Sequence, residues 1–286
     1  RDPTIWGTSN SICASDSTHF KTWEQNLVTE YHMRYGGMGI MAYWHVDKKS
    51  LCVYSQVKRT SSSEVASMIE GIIHHSTNAE IDSNCVDTHG QSVIAFAFSK
   101  LLNFNLLPRL KSISTQKLHG INDDCKEKYP NISDIMLKPI NWSLIAQYYD
   151  LIIQYALALK LKTTQPEAIL KIFNSDGVKP PVYYALQELG FAMKTIFLCK
   201  YLHNKRLRQE IDEALNVVEN WNGVNDFIFY AKKGVISTND PVNQELAILS
   251  LHILQGCLVY INTLMLQKIL SQPKWQNKLT KEDKEP

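Results

Sequence analysis

The spacing of apolar residues changes near the middle of the chain, and that change restricts the fold more than any other feature. Up to about residue 111 the sequence holds short runs rich in β-branched and aromatic residues. They are "NSICAS" before Asp16, "GIMAYWHV" (Gly39 to Val46), "LCVYSQV" (Leu51 to Val57), a run ending at Asp87, and "NLLPRL". Such runs predict strands, and the turn "DKKS" between the second and third predicts a hairpin. Two helical patterns are interleaved with them. "SSSEVASMIEGIIHH" has the serine and glutamate of a capping box followed by Val65, Met68, Ile69, Ile72 and Ile73 at helical spacing, and "QSVIAFAFSKLLN" follows Asp87. The order β-β-β-α-β-α-β points to an α/β fold with a mixed sheet flanked by helices, not a purely parallel one. From Trp142 onward only helical patterns remain: Ser143 to Leu161, Gln165 to Phe173, Val182 to Leu202, Lys205 to Trp221 and Asn243 to Leu270, with "SDGVKPP" as the clearest break.

Charge narrows the function classes less than pattern does. Lys plus Arg (30) nearly balances Asp plus Glu (28), so a surface for a polyanion has to come from local clustering. Six scattered cysteines without a CxxC pair fit reduced thiols in a cytosolic protein. The opening "RDPTIWGTSN" has no apolar signal region and no initiating Met, and reads as a piece of a longer polypeptide. Leu246 to Gln267 carries no formal charge, yet it contains Ser250, His252, Gln255, Asn262 and Thr263, so we expect a helix buried in protein and no membrane partner.

Three carboxylates invite a chemical reading. Asp16 follows the first strand and Asp87 the fourth, and neighbouring strands would bring both to one sheet edge. Asp87 could instead cap the helix that starts near Gln91, although Thr88 or Gly90 could do that work. Two close carboxylates repel, and a divalent cation resolves the repulsion. A pair of Mg²⁺ ions about 4 Å apart is the usual means of activating a water and stabilising a leaving oxygen in phosphodiester displacement, and it needs a third acid. The helix "KRLRQEIDEALNVVENWN" offers two: at about 100° per residue Glu219 lies on one shoulder of the apolar face Leu207, Ile211, Ala214, Leu215 and Val218, and Glu210 lies on the other. Periodicity does not choose between them.

The segments "WGTSNSICASDSTHF", "VDTHGQSVIAFAFSKLLNFNLLPRLK", "AMKTIFLCKYLHNKRLRQEIDEALNVVENWN" and "FIFYAKKG" resemble the catalytic segment of the large transposases of the Tn-three family of replicative bacterial transposons, over nearly the whole chain. The resemblance implies an RNase H-like fold and places the family's Asp-Asp-Glu set on Asp16, Asp87 and Glu219, as catalytic residues and as ligands of two Mg²⁺ ions for which Mn²⁺ would substitute. The stretch between Asp87 and Glu219 is far longer than one helix and one strand need. We therefore expect a core over 1–111, a large α-helical insertion over 112–202, and the rest of the core, with the Glu-bearing and C-terminal helices, over 203–286.

The same resemblance implies metal-dependent nicking at the 3′ ends of a transposon, then attack of the freed hydroxyl on target DNA. Partners would be transposon-end inverted-repeat DNA, target DNA and a second copy in a dimer. The setting would be cytoplasmic, bacterial and nucleoid-associated. An RNase H-like nuclease without strand transfer and a non-catalytic DNA- or partner-binding module are the rival readings. Candidate DNA contacts are Arg109, Lys111 and Lys117 in the acid-free run after the last core strand, and Lys205, Arg206 and Arg208 before the catalytic glutamate. Each cluster could equally be a solvated face. His89 could touch the scissile phosphate or sit in a helix-entry turn. Trp221 could stack on a base or pack at a helix end, and Asn222 stands beside it.

Overall fold

A β-branched and aromatic first third builds strands, as its alternation requires, and two of them are longer than the sequence runs suggest. In the computed structural model, which describes residues 11–23, 29–33, 36–75, 81–174, 178–229 and 234–280, β1 covers Ser11–Lys21, β2 Glu30–His32, β3 Gly37–Asp47 and β4 Cys52–Lys58. The expectation that the first strand ends at Asp16 is corrected: Asp16 sits in the middle of β1, opposite Trp44 of β3. The strand continues because Thr18, His19 and Phe20 are themselves buried and find partners on β3. The short β2 was not foreseen; it pairs with the start of β3.

The hairpin is as expected. β3 and β4 are antiparallel, and the turn closes through Asp47 N–H to Leu51 O (2.8 Å) and Ser50 N–H to Asp47 O (2.7 Å). Ser50 takes the left-handed conformation (φ 63°) that such a tight reversal demands.

The chain divides into two compact units, and each is described by itself. The first comprises Arg1–Ser61, His75–Ile81 and Asn216–Pro286; the second comprises Ser62–His74 and Asp82–Leu215. In the first unit β3 is flanked by β1, β2 and β4 in antiparallel pairing. Its helices are the C-terminal part of α8 (Lys205–Ile228) and α9 (Pro241–Leu270), followed by the short α10 (Pro273–Gln276). Helix α8 runs seven residues beyond the expected end at Trp221 because Asn225 and Phe229 continue its buried face. After it the chain returns to β1: Ile236 N–H donates to Lys21 O at 2.9 Å, and the Phe20 and Phe229 rings meet edge to face at 4.9 Å.

The reading of Leu246 to Gln267 as a helix buried in protein is corrected. Of α9 only Gln244, Ile248, Leu251 and Gln255 are buried, while Ile253, Tyr260 and Met265 are 60% exposed or more. Within the described residues α9 packs only along the side that meets β4 and α8, and a helix apolar all round leaves its remaining surface uncovered there. By length and composition alone it could cross a membrane, a test that core helices of soluble proteins also pass.

In the second unit β5 (Ile81–Val86) and β6 (Asn105–Pro108) are parallel, joined by a 3-10 turn (Thr88–Gly90) and α2 (Val93–Leu101), with α1 (Glu64–His74) preceding β5. Ser63 caps α1, its hydroxyl accepting from Ala66 N–H (3.3 Å). Helix α2 is buried over Ile94 to Ser99, as its all-round apolar sequence requires.

Residues 112–202 fall in this unit with β7 (Leu118–His119), α3 (Cys125–Lys128), β8 (Met136–Leu137), α4 (Trp142–Gln147), α5 (Tyr149–Lys160), α6 (Pro166–Asn174) and α7 (Pro181–His203). The expected single helix from Ser143 to Leu161 is two, since Tyr148 leaves helical geometry (φ −107°, ψ 15°). Helices α2 and α7 touch backbone to backbone: a Cβ on Gly190 would stand 2.1 Å from Val93 O. The architecture is thus mixed α/β, with antiparallel strands in one unit and a parallel pair in the other.

Candidate active site

Asp16 points to the face of β1 shared with Thr18 and with Trp44 of β3, because residues two apart on a strand and directly opposed partners lie on one side. Trp44 is fully buried and its indole N–H donates to the Thr18 hydroxyl at 3.2 Å. Helix α8 settles on this face through Trp221, which is 3% exposed and tilted against Trp44 at 6.2 Å between ring centroids. His252 of α9 stands edge-on to both indoles, at 6.3 Å from Trp44 and 6.2 Å from Trp221. Its Nε2 donates to Cys52 O (3.2 Å), its Nδ1 lies 2.8 Å from the Ser55 hydroxyl, and Gln255 binds the backbone carbonyl of Trp221 (3.2 Å). Burial lowers the His252 pKa, only partly offset by the Cys52 carbonyl, so the ring is neutral at pH 7.

This packing sets the phase of α8. With Trp221 held inward, Asn222 reaches Asp16, and its amide nitrogen donates to Asp16 Oδ2 at 2.9 Å. Glu219, three residues earlier and so on the neighbouring line of the helix, is exposed. Trp221 is therefore a packing residue, and its stacking on a base is corrected: the indole is enclosed by Trp44 and His252.

In the second unit Asp87 follows β5 directly, and Arg109 follows β6, its N–H bonded to Val86 O (3.0 Å). Both thus stand at the carboxyl ends of adjacent parallel strands, where open α/β sheets bind their ligands. Asp87 does not cap α2, and neither does Thr88 or Gly90; Ser92 does, accepting from Ala95 N–H at 3.1 Å. Gly90 is needed because a Cβ there would lie 2.7 Å from a Val86 methyl. The Asp87 carboxylate accepts from the Thr88 hydroxyl (3.0 Å) and faces the Arg109 guanidinium at 3.6 Å. Burial pushes its pKa up, but hydrogen bonds from Thr88 and the charges of Arg109 and Lys111 outweigh that and hold it below the usual carboxylate value.

The other sequence candidates divide. Lys111 and Lys117 are exposed, and Lys117 Nζ donates to Asp134 O (3.4 Å). Lys205 is exposed; Arg206 pairs along the helix with Glu210 (3.2 Å); the Arg208 guanidinium closes the end of α7 by donating to the carbonyls of Tyr201 and Leu202. The His89 side chain lies outside the described residues. Asp16, Asp87 and Glu219 offer hard oxygen donors of the kind Mg²⁺ and Mn²⁺ prefer, and Asp87 is ionised at neutral pH. Asp16 and Glu219 belong to the first unit and Asp87 to the second, and no group of three His, Cys, Asp or Glu is gathered as a metal cage among the described residues.

A family model described as the Tn3 transposase DDE domain matches residues 1–285. The chain belongs to that family. Similar proteins include the transposase for transposon Tn1546 of Enterococcus faecium, 27% identical over 273 residues, or 95% of this chain and 27% of that protein. The transposase for transposon Tn501 of Pseudomonas aeruginosa is 23% identical across 92% of this chain and 26% of its own length. That for Tn2501 of Escherichia coli is 24% identical across 94% and 27%. The chain therefore spans about a quarter of the length of these relatives.

For a Tn3-family DDE domain, the sequence reading missed the role of His252 and placed Asn222 toward DNA without seeing its bond to Asp16. The signal for Asn222 was present, since it lies three residues on from Glu219 and so near its side of the helix. His252 carried none, because its partners Ser55 and Cys52 are about two hundred residues away.

Proposed function

We propose that this chain is the catalytic part of a DNA transposase of the replicative type, an RNase H-like domain that nicks the 3′ ends of transposon inverted repeats and joins them to target DNA. The observation that carries the reading is the bond between Asp16 on β1 and Asn222 on the glutamate-bearing helix, which ties the first and last members of the acidic set to one scaffold. Family membership supports it, as does the order of four antiparallel strands, one of them the short β2, followed by a β-α-β parallel pair.

Asp16, Asp87 and Glu219 would hold Mg²⁺, which when bound activates the attacking hydroxyl and stabilises the leaving oxygen. The chain's own residues supply orientation and charge. Asn222 holds one oxygen of the Asp16 carboxylate and so orients the group. The Thr88 hydrogen bonds, with the charge of Arg109 beside them, favour the ionised form of Asp87, and Arg109 is placed to take a phosphate oxygen when Asp87 turns to its ligand. No covalent enzyme intermediate is needed, since both steps are in-line displacements in which the protein mainly positions the reactants.

The insertion over 112–202 and self-association as a dimer belong to the same proposal. The test is incubation of the chain with a pre-nicked transposon-end duplex, target DNA and Mg²⁺ or Mn²⁺. Joined strands support the transposase reading; cleavage without joining supports a plain nuclease and counts against it.

A further inference from the structure

The second unit holds a cavity of about 170 Å³ formed by three separate stretches of chain: the 3-10 turn Ile113–Thr115 with the start of β7, the end of β8, and the middle of α7. Thr115, Gln116, Lys117, His119, Phe191 and Lys194 line it, and no carboxylate does. The His119 ring stacks flat on Phe191 (4.2 Å between centroids, 16° between planes) and is locked by its Nδ1–H bond to Lys138 O at 3.1 Å. That stacked pair makes a firm wall beside two ammonium groups.

Lys194 is half-buried, and among the described residues no carboxylate pairs with it. Burial alone lowers its pKa, the mark of an ammonium that has lost water without gaining a counter-charge. The nearest buried acid, Glu188, is already engaged by Lys138 Nζ (3.1 Å) and Asn141 N–H (3.0 Å). A group carrying negative charge and only acceptor oxygens would complete the site. The run from Arg109 to Lys117 has no acid and leads from the end of β6 to the cavity, and its exposed Lys111 adds positive charge on the way, which suits a polyanion better than a single small ion.

We propose that this cavity binds a backbone phosphodiester of DNA through Lys117 and Lys194, giving the region inserted between β6 and α8 a direct DNA contact. The inference rests on the transposase reading, but its test involves no metal and no chemistry, so the two can fail separately.

The affinity of the 286-residue chain for a fluorescein-labelled duplex of arbitrary sequence is measured by anisotropy across a KCl series without divalent ions. Each phosphate contact contributes about 0.9 to the slope of log K against log salt. Lys117→Ala with Lys194→Met removes one phosphate contact and should make that slope shallower by about 0.9 and weaken binding. Lys117→Arg with Lys194→Arg should keep the wild-type slope. Lys160→Ala with Lys171→Ala, which removes two exposed charges elsewhere in the same unit, should leave it unchanged.

An unchanged slope in the Lys117/Lys194 variant, an equal fall in the Lys160/Lys171 control, or no binding by the wild type would overturn the proposal. So would a cavity that responds in amide chemical shifts to inorganic phosphate alone while the DNA slope stays fixed, since that describes a free-anion site.

Discussion

Asn222 and Asp16 are separated by 206 positions in the chain and joined by a 2.9 Å hydrogen bond from amide to carboxylate. With the packing of Trp221 setting the rotation of α8, the bond joins that helix to β1 three residues beyond Glu219. Partners that orient a metal-binding carboxylate are worth about 10- to 100-fold in metal affinity or activity. Asn222→Ala should therefore lower nicking by about that factor and raise the Mg²⁺ concentration needed for half-maximal rate. Asn222→Asp should be worse, because it sets a second carboxylate against the first. A Mg²⁺ titration of the nicking rate separates these from the wild type.

Asp87 should respond to its neighbour. Arg109→Gln removes a positive charge from beside the carboxylate, so the Asp87 pKa should rise toward the ordinary value of about 3.9, with the Thr88 hydrogen bonds still lowering it. Carboxyl ¹³C shifts across an acid titration read it directly. The linkage has a definite sign: with its folded pKa depressed, Asp87 contributes stability that is present above the unfolded value and lost as pH falls through the folded one. The variant should lose less stability than the wild type on acidification below about pH 4.

His252 has the same sign of pH dependence as Asp87, in a higher pH window and through burial instead of hydrogen bonds and charge. Its folded pKa is lowered by burial, so between that value and the unfolded pKa of about 6.5 the unfolded chain binds more protons and stability rises with pH. Urea midpoints should fall as pH drops below about 6.5 in the wild type. His252→Gln should flatten that part of the profile.

Trp221 gives a test of packing against DNA contact. As a buried ring between Trp44 and His252, its replacement by Ala should cost about 3 to 5 kcal/mol in a urea titration, and replacement by Phe much less. A base-stacking residue would instead lower DNA affinity with stability intact.

The parts of the fold set by local pattern could be read from the sequence. The hairpin at Asp47 to Ser50, the serine cap of α1 in outline, and the long helices α7, α8 and α9 follow from alternation, turn chemistry and helical spacing, whereas the cap of α2 falls on Ser92 and not on Thr88 or Gly90. What could not be read depends on residues far apart. Asp16 was placed at a strand end because the pattern of "NSICAS" stops there, but β1 goes on since β3 supplies partners through Lys21. The exposure of α9 is invisible to composition, which reports how apolar a helix is and not what covers it. The choice of Glu219 over Glu210 came from family resemblance alone; in the structure Glu210 pairs with Arg206 one turn away, and Glu219 lies three residues before the residue that binds Asp16.

The most direct test of the central claim is metal-dependent nicking of transposon-end DNA by the wild type and by Asp16→Asn, Asp87→Asn and Glu219→Gln, with DNA affinity and urea stability measured on each. The account predicts that all three variants fold and bind DNA like the wild type, while Mg²⁺-dependent nicking falls to background. Nicking at the wild-type rate by any one of them would contradict the assignment of that residue, and retention by all three would remove the site.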